Sequence, residues 1–123
     1  SSSGYYNTPI DMNRRSWHKK SQLVDSAGMQ YTVFTNDISL TGMSLFADKQ
    51  YKSGQICNVE VPVFVGSGLR KYRFNCRVVF SSLCGMKGFR TNLEFLEVPP
   101  ENKSLIQSVR QDKVSPHKLL PRK

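Results

Sequence analysis

The sequence predicts an all-β fold with a C-terminal helix: a small six-stranded antiparallel β-barrel. Three observations carry this. Residues 57–63 and 71–80 alternate apolar and polar side chains with period two, the pattern of a sheet with one buried and one wet face. Similar short segments, separated by turn-forming clusters, recur from Gln22 to Phe95, and closing that many antiparallel strands into a barrel removes exposed edges. The chain is 123 residues long and 38% hydrophobic, which suits one domain with one small core.

Residues 1–11 are polar, with Tyr5, Tyr6 and Pro9, and are expected to form a flexible lead-in; Ser1 to Gly4 reads as a linker. The domain proper is expected over 12–111. Its first feature is a basic segment, Arg14-Arg15-Ser16-Trp17-His18-Lys19-Lys20. A short strand at 22–24, a turn at 25–28 and a strand at 30–35 form a hairpin. The polar run Asn36-Asp37-Ile38-Ser39-Leu40-Thr41-Gly42 leads into a strand at 42–46, and residues 48–54 form a polar connection.

In the next strand Cys57, Val59, Val61 and Val63 alternate with Asn58, Glu60 and Pro62. Pro62 cannot donate to a ladder and belongs at an edge or bulge. Gly66-Ser67-Gly68 turns the chain. Tyr72, Phe74, Cys76, Val78 and Phe80 then share one face, so strict alternation places Phe80 with the core residues. A turn is expected at 81–85 and a strand at 86–95, with Phe89, Thr91, Leu93 and Phe95 inward. Val98-Pro99-Pro100 ends the sheet. Residues 101–111 read as a helix whose Leu105, Ile106 and Val109 share a face, and whose Glu101 suits the positive end of the helix dipole. It is expected to cap an open end of the barrel. Residues 112–123 carry prolines and basic residues and are expected to be a disordered tail.

Several classes of function are disfavoured. No apolar run approaches the roughly 18 residues of a transmembrane helix. The three cysteines, Cys57, Cys76 and Cys84, lack CxxC spacing, so neither a disulfide framework nor a zinc site is indicated, and a reducing cytoplasm fits. No nucleophile–base arrangement, carboxylate pair or glycine-rich phosphate loop marks an enzyme, and no cofactor or metal is expected. The formal net charge of +9 favours anionic partners.

The chemistry concentrates in two places. Asp37, Ser39 and Gly42 stand at fixed offsets between two strands, where Asp and Ser shape tight turns and Gly permits close approach. About twenty residues upstream lies the basic segment. A carboxylate-bearing turn beside a cluster of cations suits a ligand with both phosphates and hydrogen-bond-donating base edges. Trp17 has two readings, an aromatic anchor on the barrel or a surface on which a base stacks.

These two pieces resemble the PilZ domain family, whose signature is RxxxR followed by (D/N)xSxxG. The second half is intact as Asp37 to Gly42; the first reads Arg15-Ser16-Trp17-His18-Lys19, preceded by Arg14, with lysine in the last position. The resemblance covers roughly residues 12–98. It implies binding of cyclic di-GMP, a bacterial second messenger with two guanines and two phosphodiesters, in a cytoplasmic protein or the cytoplasmic domain of a larger one. Arg14, Arg15 and Lys19 are then the candidates for phosphate or guanine edges. Asp37 accepts from a guanine's Watson–Crick edge, Ser39 assists, and Gly42 lets ligand or backbone come close. Trp17, His18 and an aromatic on a late strand, Phe80, complete the set. Ligand binding is expected to clamp the basic segment onto the barrel and so regulate a protein partner or an attached domain. Two alternatives remain open: a domain of this kind that has lost its ligand and acts through protein contacts, and an OB-like binder of single-stranded nucleic acid using Arg73, Arg77 and Arg90.

Overall fold

The computed structural model describes residues 14–66 and 68–119; the expected lead-in at 1–11 and residues 120–123 lie outside the described residues. Among the described residues there are seven strands: β1 (Arg15–Ser16), β2 (Lys20–Asp25), β3 (Gln30–Ile38), β4 (Gly42–Ala47), β5 (Ile56–Val65), β6 (Gly68–Leu83) and β7 (Phe89–Phe95). One helix, α1 (Pro100–Leu119), follows. All pairings are antiparallel and run β3-β2-β5-β6-β7-β4, with β4 pairing back onto β3. That closes a six-stranded barrel. The two-residue β1 is an addition, joined to the end of β3 beyond β2, with Arg15 opposite Ile38 and Ser16 opposite Asp37.

The core follows the alternation. Leu23, Val33, Leu45, Val59, Val61, Phe74, Cys76, Val78 and Leu93 are buried inside the barrel. Leu105, Ile106 and Val109 of α1 join this core together with Trp17, and α1 packs against β1 and β6. The Asn102 side chain is buried yet satisfied, donating to the Arg73 carbonyl at 2.8 Å. Pro62 lies just past the residues of β5 that pair with β2, near the end of the barrel where only β6 accompanies it.

Several boundaries differ from expectation; β2 and β3 are longer, running Lys20–Asp25 and Gln30–Ile38, and β6 begins at Gly68. The strand β6 continues through 81–83, where a turn was expected, because Ser81, Ser82 and Leu83 pair with Thr91, Arg90 and Phe89. The turn is displaced to a short 3-10 segment at Gly85–Lys87, so β7 starts at Phe89 rather than at 86. The helix runs to Leu119, past its expected end at 111, and takes in most of the stretch read as a disordered tail. Arg110, Gln111, Asp112 and Lys113 are all compatible with helix and no glycine interrupts them.

The larger departures are two irregularities of register. Between β3 and β4 the pairing steps from Thr35–Leu45 to Asp37–Ser44, leaving Asn36 as an extra residue. Between β6 and β7 it steps from Val78–Leu93 to Phe80–Asn92, leaving Val79 extra. An inserted residue reverses the phase of every side chain after it. Thr35 is therefore buried, Asp37 turns outward, and Ile38 returns to the core. Likewise Val78 is buried, Phe80 turns outward at 49% exposure, and Ser81 turns in. Placing Phe80 with the core residues was wrong for this reason.

Gly42 is fixed by backbone packing. A Cβ there meets the Leu93 carbonyl oxygen at 2.1 Å. Gly42→Ala must push β4 away from β7, and we expect a loss of about 1–3 kcal/mol, the usual range for overpacking. Urea denaturation checks this; a midpoint equal to wild type refutes it.

Burial pushes the Cys57 thiol up to about 11 and Cys76 well above the ordinary thiol value, while Cys84 is exposed. A thiol reagent at neutral pH should therefore modify Cys84 alone in the folded protein, and all three thiols after denaturation; rapid loss of three native thiols contradicts this burial. Tyr51 is likewise pushed up to about 12, by burial first and Tyr31 second. The folded protein holds these protons at pH values where the unfolded chain releases them, so stability should decline as alkalinity rises past the ordinary thiol value and on through the tyrosine range. A thermal midpoint flat from pH 8 to about 11 contradicts that linkage.

Candidate functional site

The phase reversals align one row of positions on the outer side of the sheet across four strands, although Ser44 within it is fully covered. Asp37 on β3 lies opposite Ser44 on β4, Ser44 opposite Asn92 on β7, and Asn92 opposite Phe80 on β6. Ser16 of β1 extends the row on the other side of Asp37. The neighbouring row brings Arg90 beside Phe46 and Ser82.

Above this surface lies an open groove of about 500 Å³, lined by Arg14, Thr41, Val79, Phe80, Arg90 and the outer residues of β7. Its volume falls in the usual range for small-molecule sites. Phe80 also borders a second groove of about 450 Å³, formed with Gln50 to Ser53 and Ser81. One exposed aromatic ring thus divides two adjoining hollows.

Asp37 is the electrostatic centre. Its Oδ1 accepts from Arg14 Nη1 at 2.6 Å and from Ser44 Oγ at 2.8 Å. Its Oδ2 lies 4.0 Å from Arg90 Nη2. The side chains of Asp37 and Arg14 are largely but incompletely covered, so this is a charge-assisted contact at the rim of the barrel. Glu94 also lines the groove but is engaged by Arg77 at 2.8 Å. The groove therefore presents Arg14 and Arg90, both drawn toward the Asp37 carboxylate behind them, with Phe80 and Glu94 also in its lining.

The basic segment is locked to β3 through main chain and Thr35. Trp17 N–H donates to the Asn36 carbonyl at 3.0 Å, and Thr35 N–H to the Lys19 carbonyl at 3.0 Å. The Thr35 hydroxyl, 2% exposed, donates to the Trp17 carbonyl and accepts from Lys19 N–H at 2.7 Å. Trp17 is buried with its ring edge-on to Phe74, centroids 6.3 Å apart. It anchors the segment, which leaves its indole no face for a base.

The remaining sequence-derived positions divide. Arg14 and Phe80 line the groove, and Asp37 lies behind the lining, bonded to Arg14. Arg15 stands opposite Ile38, out of phase with Asp37, and its guanidinium turns back to donate to the Arg14 carbonyl at 2.9 Å. His18 is exposed and Lys19 half-buried; neither lines the groove. Ser39 is buried, and its hydroxyl accepts from Thr41 N–H at 3.2 Å and contacts the Gly42 carbonyl at 3.3 Å. With Ser39 N–H donating to the same carbonyl at 2.8 Å, this residue shapes the turn and does not face the groove. Gly42 admits backbone, as described above. Arg90 was read as a strand cation for nucleic acid. The signal available for it was its outward phase on β7; its approach to Asp37 depends on β4 lying between them.

A family model for the PilZ domain matches residues 13–111. No curated protein gives a match. Among solved structures, the inhibitor of motility MotI/DgrA from Bacillus subtilis superposes with a TM-score of 0.71 at 13% identity, over 89% of this chain and 51% of that one. The PilZ domain of YcgR from Escherichia coli with c-di-GMP gives 0.62 at 18%, over 87% of this chain and 95% of that one. YcgR from Escherichia coli in complex with c-di-GMP gives 0.63 at 18%, over 86% and 48%. The chain thus spans about half the length of the first and third of these proteins. The family model spans the whole barrel and α1 as far as residue 111, and the six-stranded closure agrees with these structures: the chain belongs to the PilZ domain family.

Proposed function

We propose that this domain is a receptor for cyclic di-GMP, bound in the groove between Asp37 and Phe80. The observation that carries the reading is the Asp37–Ser44–Asn92–Phe80 row with Arg14 and Arg90 over it. Family membership and the c-di-GMP named for the two YcgR structures support it.

Each group has a task that its chemistry suits. A guanine stacks on Phe80, whose ring is exposed and backed by the barrel. Asp37, acceptor-only when ionised, takes N–H donors from a guanine edge. Arg14 and Arg90 offer planar donor forks to phosphate or to guanine O6 and N7. Arg15 reaches the phosphates from the β1 side only by leaving the Arg14 carbonyl, and Lys19, outside the groove, adds its charge at a distance. Arg14 must exchange its bond to Asp37 for one to the ligand, and the single negative charge of a phosphodiester nearby stabilises that exchange. Because pairing with β3 and the burial of Trp17 already hold the segment from Arg14 to Lys19, the conformational response is a rearrangement of the Arg14 and Arg15 side chains. It passes to whatever precedes them, an attached domain or a protein partner. No catalytic step enters this reading.

Calorimetric titration with cyclic di-GMP tests it. Asp37→Ala and Arg90→Ala should each weaken binding at least tenfold, since a hydrogen bond to a charged group contributes about 1.5–3 kcal/mol. Phe80→Ala should weaken it by a similar factor through lost stacking, about 1–3 kcal/mol. Absence of heat with the wild-type chain, or unaltered affinity in all three variants, overturns the proposal. Binding of single-stranded oligonucleotides that falls steeply with salt and is lost in Arg73→Ala or Arg77→Ala, but not in Asp37→Ala, favours the nucleic-acid alternative.

A further inference from the structure

The end of β6 remote from the groove carries a feature that nucleotide binding does not use. At the β5–β6 hairpin, Phe64 is 82% exposed and Leu69, its register partner, 57%. Val65, at 38%, follows Phe64 at the hairpin end on the other face of the strand. On the face of Phe64 and Leu69, the next pair is Pro62 and Lys71. Lys20 of β2 lies beside that pair, the three lining a shallow hollow of about 250 Å³ with Gln22 and Glu60. Phe34, 52% exposed, pairs with Lys20 across β2–β3. The acids nearby are already engaged: Glu60 by Arg73 at 3.1 Å, and Glu101 by Arg70 at 3.6 Å. Lys20 and Lys71 make no ion pair among the described residues.

We propose that this hairpin docks the domain on the surface of an anionic phospholipid bilayer. Phe64, Val65 and Leu69 enter the interface, and Lys20 and Lys71 meet the headgroups. The size of the patch decides between occupants. A large aromatic side chain buries only about 150–250 Å², so three apolar residues at a hairpin end fall far short of the roughly 1,200–2,000 Å² of a stable protein interface. A bilayer imposes no matched shape, and a few apolar side chains with flanking cations give reversible surface attachment. The chain's net charge of +9 acts in the same direction. No helix among the described residues is long and apolar enough to cross a membrane, and attachment at the surface requires none. Leu69 and Phe80 are separated along β6 by roughly 35 Å at about 3.3 Å per residue, so the groove stays open to solvent when the tip is docked.

Sedimentation of the full chain with vesicles tests this. Binding is expected to vesicles of phosphatidylcholine mixed with phosphatidylglycerol and not to phosphatidylcholine alone. The double variant Phe64→Ser, Leu69→Ser should lose more than tenfold in partitioning, at unchanged thermal midpoint. Lys20→Gln and Lys71→Gln should each lose about fivefold, from roughly 1 kcal/mol per cation near such a surface. Depth is read separately. Phe64→Trp should shift its emission to the blue and be quenched by brominated acyl chains, over the constant background of buried Trp17. Leu83→Trp, exposed at the opposite end of β6, should do neither. The proposal is overturned by absence of binding to the anionic vesicles, by wild-type binding in the serine double variant, or by quenching at position 83 rather than 64.

Discussion

The candidate site depends on a constraint of β-structure: successive side chains alternate between faces without exception until a residue is inserted. Thr35 and Val78 are needed in the core, and two residues later Asp37 and Phe80 are needed outside. Regular strands cannot satisfy both demands, because positions two apart share a face. The extra residues Asn36 and Val79 resolve the conflict, one on β3 and one on β6. Between them β4 and β7 pair in unbroken register from Gly42–Glu94 to Ala47–Phe89. The two irregularities are therefore held at a fixed separation, and the four-strand row is set by main-chain hydrogen bonds rather than by loop conformation.

The close approach of β4 to β7 keeps this framework stiff. Gly42 is the point of contact, with the Leu93 carbonyl lying where a side chain would begin. Gly88 repeats the arrangement at the other end of the pair, where a Cβ meets the Ala47 carbonyl oxygen at 2.5 Å. The Ser39 turn feeds β4 into place, and the hydroxyl that looks like a ligand contact is consumed in shaping that turn. Two of the three defined residues of the DxSxxG pattern, Ser39 and Gly42, thus serve the backbone, and its aspartate alone faces the cations.

Those cations come from distant parts of the chain. Arg14 arrives just ahead of a two-residue strand held by Thr35 and Trp17, and Arg90 arrives on β7. A carboxylate flanked in this way keeps its neighbours oriented, and a ligand that brings both donors and anionic charge can replace each contact with an equivalent one. The same β6 that offers Phe80 to this groove offers Leu69 to the solvent at its other end. One long strand joins a nucleotide-sized groove to an apolar tip, and the rigidity of the closed barrel keeps the two apart.

Composition and period two were enough to give the barrel, the helix with Leu105, Ile106 and Val109 inward, and the buried cysteines, because burial of alternate side chains is a local pattern that survives in the sequence. The pairing of the basic segment with the Asp37 turn was also legible, through residues recognisable by type and spacing. What the sequence could not disclose was phase and proximity. An inserted residue has no compositional mark, so Phe80 read as core when it is exposed. Trp17 read two ways until its neighbour Phe74, far along the chain, settled its place. Arg90 became part of the site only because β4 lies between β3 and β7, a relation that depends on how non-local strands pair and that no stretch of residues encodes by itself.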